Sequence, residues 1–344
     1  MVRHEIRGAL QSDEDAVCEL ARHLNSVNLP NDRDHVRRLL EHSEKSFRGE
    51  LPERRRKFVF LICERSTGEA LGTSTIIAQL GRRDAPYIYL DVIDEEKYSH
   101  TVDRHFRHTV LRIGFSYDGP TELGGLVVAP AHRRAPERLG QLISYVRFLY
   151  IAEHRALFRE QLLAELLPPL EPDGTSHLWE AFGRRFTGMS YAEADLLSSE
   201  NKSFIRDLFP SGNVYASLLS PEARSVIGKV GAQTRGVEKM LRRVGFRYAK
   251  RIDPFDGGPH FIAPLEEISL IGDTRRLPLR VGTPAGAAPR SLVARSLSEA
   301  PFFRAIAVPA ATNEAAVTIA AEAASALAAK DGDELSVLVL RGGD

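Results

Sequence analysis

The chain has 344 residues, 43% hydrophobic and 27% charged, with 46 Lys plus Arg balanced by 46 Asp plus Glu. That length allows about two domains, each with its own core, and zero net charge removes the basic excess that marks nucleic-acid binders. Two cysteines, Cys18 and Cys63, cannot form a disulfide framework; with no apolar signal region after Met1 and no membrane-length apolar run, a cytoplasmic setting is expected, with no membrane and no nucleic-acid partner.

Glu5 to Leu10 reads as a short strand. Ser12 followed by Asp15 is a capping-box pattern, opening a helix through Val17, Leu20, Ala21 and Leu24. Asn31 or Asp32 caps a second helix carrying Val36, Leu39 and Leu40. Phe58 to Cys63 has the composition of a buried strand, Ser66-Thr67-Gly68 that of a turn, and Ala70 to Leu80 that of the next strand. With Glu122 to Val128 these make an antiparallel sheet. Strand Leu123 to Val128 stops at Pro130, a basic loop follows, and a long helix runs from about Gly140 to His154. Its Leu142, Ile143, Val146, Leu149 and Tyr150 keep helical spacing.

Leu162 to Leu167 is a further strand, after which Pro168, Pro169, Pro172 and Gly174 break the pattern. A helix-rich insertion, about 168–229, contains Trp179, Phe182 and Phe186, with Trp179 expected in the core. Thr234 caps a helix through Val237, Met240 and Leu241, which Gly245 terminates before the strand Phe246-Arg247-Tyr248. Asp256-Gly257-Gly258-Pro259 is a turn sequence. Residues 274–291, rich in Arg, Pro, Gly and Ala, read as a linker between a main domain, 1–273, and a small β-rich C-terminal domain, 292–344. In that last segment the alanines of 315–329 read as helix, and Gly332-Asp333 leads into a strand, Leu335 to Leu340.

A strand, an Arg/Gly loop and a helix beginning at the loop make an anion cradle, because the free N–H groups and the positive dipole of a helix start face the ligand. Here the loop is Ala131 to Gly140, with Arg133, Arg134 and Arg138. By itself the pattern is a weak signal, and a solvated basic loop is the better reading of it. The order of elements around it, strand–helix–helix, antiparallel strands, loop, long helix, strand, helix, Gly-Phe and strand, resembles the plan of the GCN5-related N-acetyltransferase superfamily, an α+β fold.

More specific stretches run in order through most of the chain. They are Gly49-Glu50-Leu51-Pro52, Glu122-Leu123-Gly124-Gly125-Leu126, Arg147-Phe148-Leu149-Tyr150-Ile151-Ala152 and Leu163-Ala164-Glu165-Leu166. Others are Asp173-Gly174 to Trp179, Phe186 with Met189, Ala194-Asp195, Lys202-Ser203-Phe204-Ile205, Val226-Ile227-Gly228-Lys229-Val230, Gln233-Thr234, Val244-Gly245-Phe246 and Phe255-Asp256-Gly257-Gly258-Pro259. In these the chain resembles the arginine N-succinyltransferase family, which includes arginine/ornithine succinyltransferase subunits.

The resemblance implies transfer of a succinyl group from succinyl-CoA to the α-amine of L-arginine, giving N2-succinylarginine and CoA as the entry step of arginine catabolism. It places the succinyl-CoA contact on Leu126, with Arg133, Arg134 and Gly140 in the phosphate loop, requires no metal, and implies a homo-oligomer or a hetero-oligomer with a family paralogue. A guanidinium substrate needs carboxylates, for which Glu165, Asp195, Asp253 and Asp256 are candidates. Two features depart from the family. The loop is longer than its usual Arg-x-x-Gly-x-Gly and keeps one glycine, Gly140. The family's proton-donating histidine falls on Gly231, leaving His177 and His260 as substitutes; a positive φ at Gly231 would oppose restoring a side chain there. Alternatives are therefore an acyltransferase with a drifted donor or acceptor, ornithine included, and a catalytically weak CoA-binding subunit.

Overall fold

The computed structural model describes residues 2–23, 29, 31–83, 85–171 and 174–341; Leu24, Pro172 and Asp173 lie outside them. In chain order the strands are β1 (His4–Gly8), β2 (Lys57–Glu64), β3 (Ala70–Ile77), β4 (Tyr87–Ser99), β5 (Arg104–Ser116), β6 (Thr121–Val128), β7 (Gln161–Glu165), β8 (Val214–Tyr215), β9 (Arg247–Ile252), β10 (Pro259–Pro264), β11 (Arg275–Val281), β12 (Arg290–Ser296), β13 (Phe303–Pro309), β14 (Ala311–Thr312), β15 (Val317–Ile319) and β16 (Glu334–Val339). The helices are α1 (Glu14–Ala21), α2 (Arg33–Phe47), α3 (Leu139–Glu153), α4 (His177–Ala181), α5 (Gly183–Thr187), α6 (Tyr191–Glu200), α7 (Ser203–Leu208), α8 (Pro221–Val226), α9 (Arg235–Arg243), α10 (Ser269–Gly272) and α11 (Ala321–Ala326). The α+β class expected from the sequence holds. Residues 1–79, 121–160 and 264–344 form one compact unit, and 80–120 with 161–263 a second.

In the first unit the strands run β14-β15-β11-β16-β12-β13-β1-β2-β3-β6, antiparallel except where β11 meets β15. The interiors of β2 and β3 are buried on both faces, because helices cover both. Val59, Leu61 and Cys63 of β2 pack with α1 and α2 residues such as Val17, Leu20, Val36 and Leu40. The alternate residues Phe58 and Phe60 meet Tyr150 of α3 at 4.8 and 5.3 Å between ring centres. Asp32 caps α2 by accepting from the His35 N–H at 2.6 Å. The start of α1 differs from expectation: a 3-10 turn, Gln11–Asp13, precedes it, and the side chain capping that turn, rather than α1, is that of Asp13. Its carboxylate accepts from the Leu10 N–H at 2.8 Å and pairs with Arg7 at 2.7 Å. Both cysteines are free.

The C-terminal segment also departs from the sequence reading. The stretch expected as a linker, 274–291, contains β11, and the tail falls in the same unit as the N-terminal elements. Its strand β13 pairs directly with β1, Ile6 opposite Ala305. Leu277 and Leu279 are buried while the Arg and Pro residues between and around them are exposed, a period of two that the Arg/Pro-rich composition masked.

β6 carries one residue more than β3 across the same interval, since Thr73 pairs with Val127 and Thr75 with Gly124. The extra residue is a β-bulge at Gly125-Leu126. Gly125 has φ +56°, and a Cβ on it would lie 2.7 Å from Thr75 Oγ1.

In the second unit the order is β7-β10-β9-β4-β5-β8. Its spine is a hairpin paired from Tyr87–Ser116 to Ser99–Arg104, each strand 13 residues long. The sequence reading missed it, because its outer half is exposed and strongly charged. The helical insertion packs on the inner half. Trp179 is fully buried with Ile88, Leu90 and Leu111, as expected of a core residue. It stacks on Phe255 at 5.0 Å, and its Nε1 donates to Met189 O at 3.0 Å. Gly245, at φ +114°, ends α9 in the expected way. No helix of the described residues is long and apolar enough to cross a membrane.

The bulge yields a first test. Gly125→Ala should lower stability by about 1–2 kcal/mol for the left-handed backbone alone, with the Thr75 contact adding to it. Urea unfolding of Gly125→Ala should show this loss, and a further Thr75→Ala change should recover only the contact's share.

Candidate functional site

In the first unit, β6 ends at Val128 and leads through a 3-10 turn, Pro130–His132, into α3. Arg133 folds back to donate from Nε to Val128 O at 2.9 Å, whereas Arg134 is exposed. Arg138 holds φ +56° and turns the chain into the helix. The N–H groups of Leu139 and Gly140 donate to no group among the described residues, leaving the donor pair that an anion at a helix start requires. A Cβ at Gly140 would make only an ordinary 3.7 Å contact with Val128, so protein packing does not demand glycine there. Leu126, half-buried, sits at the bulge, where the β6 backbone departs from regular pairing with β3.

Beneath this strand lies a residue that was noticed in the sequence only as part of a family stretch. Arg147, on α3, is 2% exposed. It donates to Ser144 O at 3.1 Å, Ser144 Oγ at 2.7 Å and Gly124 O at 3.4 Å. All of these acceptors are neutral. Burial lowers the guanidinium to about 9, with no carboxylate to oppose the shift.

In the second unit, Glu165, Asp253 and His260 offer donor atoms within 4.8 Å of one another. His260 is fully buried. Its Nδ1 is 2.6 Å from the Tyr87 hydroxyl, while Nε2 lies 3.4 Å from Glu165 Oε1 but makes no hydrogen bond among the described residues. Burial, followed by the positive charges of Arg251 and Lys202, pulls His260 down to about 3, so the ring is neutral near pH 7. Such a group suits a metal ion or a hydrogen-bonding organic cation.

Asp253 and Asp256 also build the turn between β9 and β10. Asp253 Oδ1 accepts from the Phe255 and Asp256 N–H groups at 2.7 and 3.1 Å, and Asp256 Oδ1 accepts from Gly258 at 2.7 Å. Burial raises Asp253, and burial with the neighbouring Asp253 charge raises Asp256 well above the usual carboxylate range. Asp195 of α6 is pushed up to about 7, first by burial and then by Asp253, with Lys202 opposing.

Of the two candidate histidines, the structure brings only His260 to the carboxylates; His177 is half-exposed at the start of α4 and pairs with Glu171 at 2.6 Å. Gly231 has φ −65°, so the expected obstacle of a positive φ is absent. A different one takes its place: a Cβ there would lie 2.6 Å from Pro168 O and 3.0 Å from Leu167 O. Thr234, expected as a plain helix cap, instead donates its hydroxyl to Leu167 O at 3.0 Å. Sequence reasoning missed Tyr87, for which no signal was available, and Arg147. The signal for Arg147 was a charge four residues after Ile143 on an apolar helix face.

The profile of the arginine N-succinyltransferase beta subunit family matches residues 4–270. The chain is 34% identical over 282 residues to an arginine N-succinyltransferase subunit beta from Pseudomonas aeruginosa, covering 81% of this chain and 82% of that one. It is 31% identical over 339 residues to an arginine N-succinyltransferase from Citrobacter koseri, covering 97% of each. Among solved structures, the arginine/ornithine succinyltransferase subunit AI from Pseudomonas aeruginosa superimposes with a TM-score of 0.84 at 25% identity, over 98% of this chain and 99% of that one.

Two outcomes follow from this geometry. Gly231→His should destabilise by roughly the 1–3 kcal/mol of an overpacked site, read as a lower Tm; an unchanged Tm would show that the Leu167–Pro168 backbone yields freely. Asp195 binds its proton more tightly folded than unfolded, so its stabilising contribution is complete below an ordinary Asp pKa near ~4 and disappears as pH rises through about 7. Asp195→Asn should therefore raise Tm more at pH 8 than at pH 4.5, and an equal change at both would contradict the assignment.

Proposed function

The chain belongs to the arginine N-succinyltransferase family, and from that premise we propose that it transfers the succinyl group of succinyl-CoA to the α-amine of L-arginine. It is an acyltransferase of α+β fold. The observation that carries the finer reading is a family match that runs through both compact units.

On this reading, the donor's pyrophosphate rests on the free N–H groups of Leu139 and Gly140, with Arg134 supplying charge. The acyl group lies along β6 at Leu126, where backbone groups at the bulge polarise the thioester carbonyl. Glu165, Asp253 and Asp256 accept the N–H groups of the acceptor's guanidinium, and the buried, neutral His260 adds a further acceptor. The uncharged α-amine attacks the thioester carbon, the C–S bond breaks, and the amine's proton passes to solvent or to the departing sulfur. Gly231 carries no group to donate that proton. A thiolate whose conjugate acid has a pKa near ~8.5 leaves without one, so the missing histidine reduces the rate toward the lower end of the ~10²–10⁴-fold range of acid catalysis.

The missing side chain at Gly231, together with the lack of room for one, favours a second reading: a CoA-binding subunit that supports an active family paralogue. A homo-oligomer fits the first reading and a hetero-oligomer the second.

Succinyl-CoA should raise Tm by mass action, and Arg134→Glu should reduce that rise. Thiol release from succinyl-CoA, followed with a chromogenic disulfide, should be faster with L-arginine than without amine. Equal release with and without arginine, ornithine and lysine would reject the first reading for the second. No thermal shift from millimolar CoA or succinyl-CoA would sink both.

A further inference from the structure

Arg147 is the buried charge that the fold leaves without a counter-charge. Its guanidinium is almost wholly excluded from water, and no carboxylate lies within ion-pair distance of it among the described residues. A desolvated cation held only by neutral acceptors is costly to maintain. Serine and backbone oxygens take three of its bonds, whereas a guanidinium has five N–H donors in a planar fork suited to a carboxylate. Two donors therefore remain. The position is equally specific: Gly124 O, one of its acceptors, immediately precedes the bulge at Gly125-Leu126.

We propose that Arg147 receives the terminal carboxylate of the donor's acyl group, so that it selects a dicarboxylic acyl-CoA over a monocarboxylic one of equal length. The proposal rests on the acyl-donor placement given under Proposed function. A carboxylate arriving beside β6 finds two unused donors on a charge whose attraction is not screened by water. The same burial explains discrimination: an acyl chain ending in a methyl group leaves the guanidinium as unpaired as before. Ser144 Oγ and Gly124 O fix the plane of the fork in advance, which lowers the ordering cost of binding.

The test compares succinyl-CoA with butyryl-CoA, which has the same acyl length and a methyl group in place of the carboxylate, by calorimetric Kd on the full chain. Wild type should prefer succinyl-CoA by at least about tenfold. Arg147→Met should bring that ratio close to one while leaving butyryl-CoA affinity near its wild-type value. A residue that merely clamps β6 would weaken both esters together, and an unchanged ratio in Arg147→Met would overturn the proposal. Should the Met variant fail to fold, Arg147→Gln keeps amide donors for Gly124 and Ser144 and is judged by the same ratio. Wild type that binds CoA esters without preference overturns the Arg147 proposal alone, whereas wild type that binds neither ester overturns it together with the donor placement.

Discussion

The mismatch of one residue between β3 and β6 organises the first unit. The extra residue forces a left-handed turn at Gly125 directly against Thr75, a position open only to glycine. Because the ladder is interrupted there, the backbone at Leu126 is released from regular pairing with β3. Gly124 O is presented to Arg147, and β6 resumes pairing at Val127 and Val128 before the turn that starts α3. The interrupted strand and the carbonyl that Arg147 reaches thus meet at one bulge, a few residues before the chain turns into α3. β-bulges recur beside active sites because they re-aim backbone and side chains without dissolving the sheet.

The second unit has its own constraint, the close passage of Leu166 to Pro168 between two glycines. A Cβ at Gly231 would meet Pro168 O and Leu167 O, and one at Gly258 would meet Leu166 O. Gly231 N–H donates to Leu167 O at 2.8 Å, and Leu166 N–H to Pro259 O at 3.2 Å. The segment is gripped from both sides by backbone, which is why neither glycine has room for a side chain. The Asp253–Gly258 turn then draws two carboxylates inward, and β10 delivers His260 next to them. The aspartates serve turn and cluster at once, so the turn sequence concealed chemistry that only tertiary packing reveals.

What was legible in the sequence follows the range of the interactions involved. Strands β2, β3 and β6, helices α2 and α3 and the Gly245 terminus obey local periodicity and capping, and appear where expected. The capping expected at the start of α1 falls instead on the preceding 3-10 turn, where Asp13 reaches back to Leu10 and also pairs with Arg7, a partner that helix patterns do not consider. The β4–β5 hairpin escaped because its outer half buries little and so shows no clean alternation. β11 escaped because Arg and Pro occupy its exposed positions. Among site residues, the loop arginines and Gly140 were legible as a motif, and His260 only as one of two equal histidines. Its tie to Tyr87 spans 173 residues of sequence, and nothing short-range encodes it.

Charge balance was the least informative number in the sequence, and the structure explains why. Zero net charge conceals two local imbalances of opposite sign. In the first unit a guanidinium is buried without an anion. In the second, burial raises Asp253, whose charge adds to the burial that raises Asp195 and Asp256, and Asp253 lies beside a neutral imidazole. Neither arrangement favours folding by itself, since unpaired buried charge and crowded carboxylates both oppose it. Each would be relieved by a ligand of the opposite charge: an anionic group at Arg147 and a cationic one at the carboxylates. An anionic acyl donor and a cationic amino-acid acceptor, the pair proposed above, are of the signs that would relieve both, so that the free energy these groups cost in folding would return as binding affinity.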